Sequence, residues 1–337
     1  MSEETPGLDT ERLRAHLDRA APGLVSGPLT ARMITGGKSN LTYVVTDGDG
    51  SWVVRRPPLG HVLDTAHDMS REYRVMTALA PTDVPVPRTH LLCEDTEVLG
   101  APFYVMEHVA GTPFRTLDEI APLGADGVRS VAEHLITTLG DLHAVDPEEV
   151  GLGDFGRPEG FLERQVRRWS RQLEASRSRE LPGIDELRDR LAAGLPEQSA
   201  PAIVHGDYRL DNVLITEDGR PSAVLDWEMA TLGDPLVDLG LMLVYREQPV
   251  TGGRAAATSA EGFPTSSELV RMYADATGRD VSRLGWYVAF GCFKLAVIAE
   301  GIHLRHTQGL TVGQGFDGIG DVVAPLVARA HRVLEED

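Results

Sequence analysis

The chain has 337 residues, 42% hydrophobic and 25% charged, with 51 acidic against 32 basic side chains and a formal net charge of -19. That length fits one large domain or two modest lobes, and the balance is that of an ordinary soluble globular protein. So acidic a chain argues against a general nucleic-acid or anionic-membrane binder, because both need a positive surface. Cys93 and Cys292 lie far apart in apolar surroundings and read as buried small hydrophobes, not as a disulfide or metal framework. Met1 to Thr10 is acidic and polar, with no signal-peptide pattern. No uninterrupted apolar stretch reads as long enough to span a bilayer. The expectation is a cytoplasmic protein that meets neither membrane nor nucleic acid.

Glu11 to Ala20 reads as a short amphipathic helix. Leu29 to Ile34, Tyr43 to Thr46 and Trp52 to Arg55 read as strands, separated by the turns Gly36-Gly37 and Asp47-Gly48-Asp49-Gly50. Asp68 to Leu79 places Met69, Tyr73, Met76 and Leu79 at helical spacing. Strands at Thr89 to Cys93 and Phe103 to Val109 complete five strands and one helix. After Gly111 the pattern turns helical, at Val128 to His143 and Phe161 to Glu174. Short extended segments follow at Ile203 to Asn212, Val213 to Ile215 and Ser222 to Leu225. Helices resume at Pro235 to Tyr245, Ser267 to Thr277 and Trp286 to His306, and Thr251 to Pro264 reads as a small-residue loop able to act as a lid. The predicted class is α+β: a β-rich N-lobe over 1–109, joined near His108 to Gly111 to a mainly helical C-lobe over 110–337.

The sharpest signal is His205-Gly206-Asp207-Tyr208-Arg209-Leu210-Asp211-Asn212, followed by Val213-Leu214-Ile215, a turn and Leu225-Asp226-Trp227-Glu228. Phosphoryl transfer needs a carboxylate to orient a hydroxyl and take its proton, and oxygen ligands for magnesium. Asp207 and Asn212 stand at the offset that kinase catalytic loops use for base and metal ligand, and Asp226 follows a strand after a tight turn, where the second metal-holding carboxylate is expected. Asp and Asn are each common in turns. The joint pattern is far more demanding than either residue alone.

These residues resemble the aminoglycoside phosphotransferase family, also called the phosphotransferase enzyme family. The likeness is closer still to the kinase-like domain at the N-terminus of some animal acyl-CoA dehydrogenases and to its stand-alone bacterial relatives. It runs from Gly36 to about Gly309 and includes Gly36-Gly37-Lys38-Ser39-Asn40, Val54-Arg55-Arg56-Pro57-Pro58, Met69-Ser70-Arg71-Glu72-Tyr73, Arg168-Trp169-Ser170 and Phe293-Lys294-Leu295-Ala296. The resemblance implies a two-lobed protein-kinase-like fold, ATP and Mg2+ as cofactors, and a small-molecule hydroxyl as acceptor. It implies Asp207 as the base, Asn212 and Asp226 as magnesium ligands, and His205 and Asp238 as supports of the loop. Met106, Glu107, His108 and Val109 would line the adenine through backbone groups.

Two departures stand out. A protein kinase carries a lysine on its third strand, paired with a glutamate on the next helix. Here that strand ends in Arg55-Arg56, so Arg55 with Glu72 is the candidate pair. Strand alternation sends the two arginines to opposite faces, so one reaches the phosphates and the other reads as a surface residue. In place of a G-x-G-x-x-G loop stands Thr35-Gly36-Gly37-Lys38-Ser39-Asn40, whose glycine amides can still cradle phosphate. Arg164, Arg167, Arg168, Arg171, Arg177 and Arg179 form a basic run that reads either as a solvated helix face or as a patch for an anionic substrate such as a coenzyme A ester. Arg167, Arg168, Arg171 and Glu228 are the candidate substrate residues. Three readings follow: a kinase for a hydroxyacyl-CoA or hydroxy acid, an aminoglycoside phosphotransferase, and a non-catalytic nucleotide-binding pseudokinase.

Overall fold

The computed structural model describes residues 5–34, 40–59, 68–247, 255–310, 316 and 318–336. Gly36, Gly37, Lys38 and Ser39 of the expected phosphate loop lie outside the described residues, as do residues 251–254 of the expected lid. Contacts divide the chain into two compact units, Met1–Gly111 with Ser222–Ala230, and Thr112–Pro221 with Thr231–Asp337. The segment Ser222–Ala230, read from sequence as part of the C-lobe, groups with the first unit.

The first unit opens with α1 (Thr10–Ala20), where Asp9 caps the free amides of Glu11 and Arg12 and Leu13 and Leu17 are buried. Strands β1 (Thr30–Met33), β2 (Leu41–Thr46) and β3 (Ser51–Arg56) follow, then α2 (Met69–Leu79), β4 (Thr89–Cys93), the single turn α3 (Thr96–Leu99) and β5 (Phe103–Glu107). They form an antiparallel sheet in the order β1-β2-β3-β5-β4. The β2–β3 turn closes because Asp47 Oδ1 accepts from the amides of Asp49 and Gly50, while Gly48 takes φ 96°, which its missing Cβ allows. One face of the sheet carries Tyr43, Val45, Val54, Phe103 and Val105 into a core with Leu13 and Leu17. Alternation puts Arg55 and Tyr104, paired across β3 and β5, on the other face.

Alternation holds for the arginine pair, but the reading of the second one as a surface residue is corrected. Arg56 is buried on the core face, and its guanidinium donates to the carbonyls of Gly7 (2.5 Å) and Leu99 (2.6 Å). A desolvated guanidinium has to place its donors somewhere, and these two carbonyls take them.

The second unit holds α4 (Leu117–Ile120), α5 (Gly124–Ala144), α6 (Phe161–Ser176), α7 (Ile184–Ala193), β6 (Ala202–Val204) and β7 (Val213–Ile215). Strand β8 (Pro221–Val224) then leads into the first unit, and β9 (Thr231–Gly233), α8 (Leu236–Arg246), α9 (Ser266–Thr277), α10 (Leu284–Thr307) and α11 (Val323–Glu336) return to the second. Strand β6 pairs antiparallel with β9. The expected extended run Ile203 to Asn212 is mostly not strand. After Val204 the backbone amides turn to a buried carboxylate, and Leu210–Asn212 is a 3-10 turn. Residues 255–264 do not form an untethered loop: the Leu117 amide donates to the Ala255 carbonyl and the Ala257 amide to that of Arg115.

Helix α10 bears on the expectation that no uninterrupted apolar stretch spans a bilayer, since Lys294 and Glu300 interrupt it. Among the described residues it is the one helix long and apolar enough to cross a membrane. Yet 72% of its apolar window is buried, against α6, α8 and α11. It is the core helix of this unit. Cys93 and Cys292 are both free and buried, as expected.

Candidate active site

In the second unit the chemistry gathers on the loop after β6. Asp238, fully buried in the first turn of α8, accepts from the amides of His205 and Gly206, each at 2.7 Å. Gly206 has φ 84°, a conformation that suits glycine. Burial works against the Asp238 charge, but hydrogen bonds from His143 and the loop amide hold its pKa below the usual carboxylate value. His205, also fully buried, accepts from the Asp207 amide through Nδ1 at 3.2 Å. Lys294 of α10 donates to the Gly206 carbonyl at 2.6 Å, with its ammonium 5.5 Å from the Trp169 ring centroid. Burial lowers its pKa, while Asp207 and Asp238 pull it back up.

That scaffold presents Asp207. Its Oδ1 accepts from Tyr245 Oη at 2.8 Å and its Oδ2 from Asn212 Nδ2 at 3.1 Å. Asn212 Nδ2 also donates to the Asp207 carbonyl at 3.0 Å. The amide oxygen of Asn212 is therefore turned away from Asp207, as a magnesium ligand requires. Burial raises the Asp207 pKa, against Arg209, Lys294, Tyr245 and His205. A carboxylate of raised pKa is a better proton acceptor. Beside this loop lies a cavity of about 180 Å³ with Arg115, Arg209 and Arg246 in its wall and Leu135, Met242 and Phe263 as apolar lining.

In the first unit, Arg55 and Glu72 meet as expected, with Nε 3.3 Å from Oε2. Glu72 is buried; Asn40 donates to its Oε1 at 3.1 Å and Tyr104 Oη to its Oε2 at 2.9 Å. Burial pushes the Glu72 pKa up to about 7 in spite of Arg55. Arg55 also pairs with Asp226 and lies 3.9 Å from Glu228, which accepts from Asn40 at 3.3 Å. Burial opposes the Arg55 charge, but Tyr104, Glu72 and Asp226 outweigh it and raise its pKa. Among the described residues, Asp226 is the one non-glycine with positive φ, at 68°. Such backbone costs on the order of 1–3 kcal/mol and persists where surrounding structure enforces it, often at functional sites. Its carboxylate offers the oxygen chemistry magnesium prefers, in competition with Arg55. Met106 is buried within β5, and His108 Nδ1 lies 2.7 Å from Ser51 Oγ.

The arginine run divides. Helix α6 buries Phe161, Val166, Trp169 and Leu173 and turns Arg167, Arg168 and Arg171 to solvent. Arg167 pairs with Glu163 at 3.4 Å, and Arg168 sits 5.7 Å from the Trp169 ring centroid. Arg177 pairs with Asp185 and Arg179 with Glu300, so these two are committed to carboxylates. Sequence reasoning gave no site role to Tyr245, Tyr104 or Lys294, and placed Asn40 only at the end of the glycine loop. Tyr104 was reachable through strand alternation, and Asn40 and Lys294 stand in motifs quoted above; Tyr245 has no local signal.

One sheet-based unit with an arginine–glutamate pair and one helical unit presenting a His-Gly-Asp loop make up the protein-kinase-like fold of small-molecule phosphotransferases. The phosphotransferase enzyme family matches residues 30–280, and the chain belongs to that family. It is 34% identical over 96% of its length to acyl-CoA dehydrogenase family member 11 of Gallus gallus, and spans 43% of that relative. A chain from Ralstonia eutropha JMP134 assigned to the aminoglycoside phosphotransferases superposes with a TM-score of 0.85, at 32% identity, covering 97% of this chain and 98% of that one. The aminoglycoside phosphotransferase APH(4)-Ia, in ternary complex with ADP and hygromycin B, shares the fold at a TM-score of 0.63 and 16% identity, with 97% of each chain covered.

Proposed function

We propose that this chain catalyses magnesium-dependent transfer of the γ-phosphoryl group of ATP to an alcohol of a small molecule, and that the acceptor is a hydroxy acid or hydroxyacyl-CoA. One observation carries the reading: Asp207 is a half-buried carboxylate whose two oxygens are fixed by Tyr245 and Asn212 on a braced loop. In this reading Asp207 orients the acceptor hydroxyl and takes its proton, and Asn212 and Asp226 hold magnesium. Arg55, kept in place by Glu72, contacts the nucleotide phosphates; Gly36, Gly37, Lys38 and Ser39 cradle them, and Met106, Glu107, His108 and Val109 flank the adenine. Magnesium, when bound, neutralises the charge of the phosphates.

Against an aminoglycoside acceptor stand Arg115, Arg246 and the apolar lining of the cavity, Arg209 being paired there with Asp211; this wall suits an anion with an apolar body better than a polycation. The likeness to an acyl-CoA dehydrogenase family member supports an acyl-CoA acceptor. Exposed Arg167, Arg168 and Arg171, with Glu228, remain the substrate residues of the proposal.

The test is a Mg-ATP turnover screen of the wild type and Asp207→Ala against hydroxyacyl-CoAs, hydroxy acids and aminoglycosides. The expected result is phosphorylation of the acyl class, lowered by about 10²–10⁴ in the variant. Aminoglycoside turnover, or unchanged coenzyme A ester binding after Arg167, Arg168 and Arg171 are replaced by Ala, sinks the acceptor assignment. Nucleotide binding without turnover of any acceptor returns the chain to a pseudokinase.

A further inference from the structure

Three observations meet at Tyr245. It lies in the last turn of α8, and its Oη donates to Asp207 Oδ1 at 2.8 Å. Its ring lies under the Arg209 guanidinium, 4.1 Å from ring centroid to carbon, and Arg209 is forked onto Asp211. Its side chain also forms part of the wall of the cavity that holds Leu135, Met242 and Phe263. A chain of contacts therefore runs Asp211–Arg209–Tyr245–Asp207: the first three line the cavity, and Tyr245 connects its wall to the Asp207 carboxylate.

A catalytic carboxylate has to offer one lone pair along a fixed line, and a misplacement of about 1 Å can cost on the order of 100-fold in rate. Asn212 fixes one oxygen of Asp207; the other is fixed only if Tyr245 stays. Resting on the phosphotransferase reading above, we propose that Tyr245 is a positioning residue for phosphoryl transfer, holding Asp207 Oδ1 where an acceptor hydroxyl arriving from the cavity meets it. In that step the acceptor oxygen forms a bond to the γ-phosphorus and the bond from that phosphorus to its bridging oxygen breaks. The acceptor proton passes to Asp207 and ADP leaves. Tyr245 keeps its own proton, because burial and then the Asp207 charge push the phenol far above its usual range. The ring contact with Arg209, a cation–π pair, sets its tilt.

The experiment uses the full chain and Tyr245→Phe, which keeps the ring and removes the donor. Expected are a fall in kcat of about tenfold, with KM for Mg-ATP and thermal stability unchanged. In an Asp207→Ala background the same change should have no further effect, since Tyr245 acts through Asp207. A crystal structure of Tyr245→Phe should show the Asp207 carboxylate rotated off its wild-type position. An unchanged kcat, an equal fall on the Asp207→Ala background, or an unmoved carboxylate overturns the proposal. Should the wild type transfer phosphate to no acceptor, the phosphotransferase reading falls by itself, and the crystal comparison alone decides whether Tyr245 holds Asp207.

Discussion

At the scale of single residues, Arg55 shows how a departure from the kinase pattern is accommodated. An arginine is bulkier than the usual lysine, and its fork needs more than one partner. The partners are present, in Glu72, Asp226 and Glu228. Arg55→Lys removes the fork and is expected to raise KM for Mg-ATP about tenfold with little effect on kcat, as read by steady-state kinetics. Asp226 sits at φ 68°, which Asn tolerates almost as well. Asp226→Asn should therefore keep the backbone conformation, lower the melting temperature by the loss of the Arg55 ion pair, and weaken magnesium-dependent nucleotide binding about tenfold, measured by calorimetry. Asp207, Asn212 and Asp226 were legible because they lie in one short motif with fixed offsets. Tyr245 was not, because it stands 38 residues from Asp207 and nothing local to it marks the contact.

Elements place these residues, and their ends are where single changes tell most. Asp68 caps α2 by accepting from the amides of Ser70 and Arg71, and α2 carries Glu72. Asp68→Ala should cost about 0.5–2 kcal/mol in thermal unfolding. It should also weaken nucleotide binding, because the pair of Glu72 with Arg55 loses its anchor. Within the helical unit, His143 of α5 is buried between Tyr273 Oη (2.8 Å from Nδ1) and Asp238 (3.3 Å from Nε2). Burial holds its pKa below the usual 6.5, against Asp238. The unfolded chain takes up that proton first, so stability is intact above about pH 6.5 and is lost as pH falls from there through the lowered native value. The loss should be at most about 1.4 kcal/mol per pH unit, and should shrink in His143→Asn melts compared between pH 7.5 and 5.5. His90, also lowered by burial, adds a slope that the variant keeps; Asp238 acts with the same sign, but only below the carboxylate range; Glu72, raised to about 7, and Asp207, also raised, act with the opposite sign as pH falls, and the variant keeps them too. Most helices and all five strands of the sheet were readable from periodicity. Helices α7 and α11 carry the same spacing, at Ile184, Leu187 and Leu191 and at Val323, Leu326, Val327 and Ala330, yet went unread among polar neighbours.

For the molecule as a whole, the first unit is not one continuous stretch of chain. It needs Ser222–Ala230, whose Val224 amide donates to the Pro85 carbonyl and whose Asp226 pairs with Arg55. A fragment ending at Gly111 lacks that segment, leaves Arg55 short of a carboxylate, and is expected to melt less cooperatively and at lower temperature than the full chain by circular dichroism. A fragment that melts like the intact protein would remove the segment from the unit.

What the sequence by itself determined here is the class of fold and the acidic and amide groups of the candidate catalytic loop. Helical and strand periods and a fixed-offset motif are local properties, written in neighbouring residues. Tertiary structure decided which arginine meets Glu72, that the other is buried, that α10 is a core helix, and that Tyr245 and Lys294 reach the Asp207 loop. Those are matters of burial and of contacts between residues far apart in the chain, and packing alone brings such residues together.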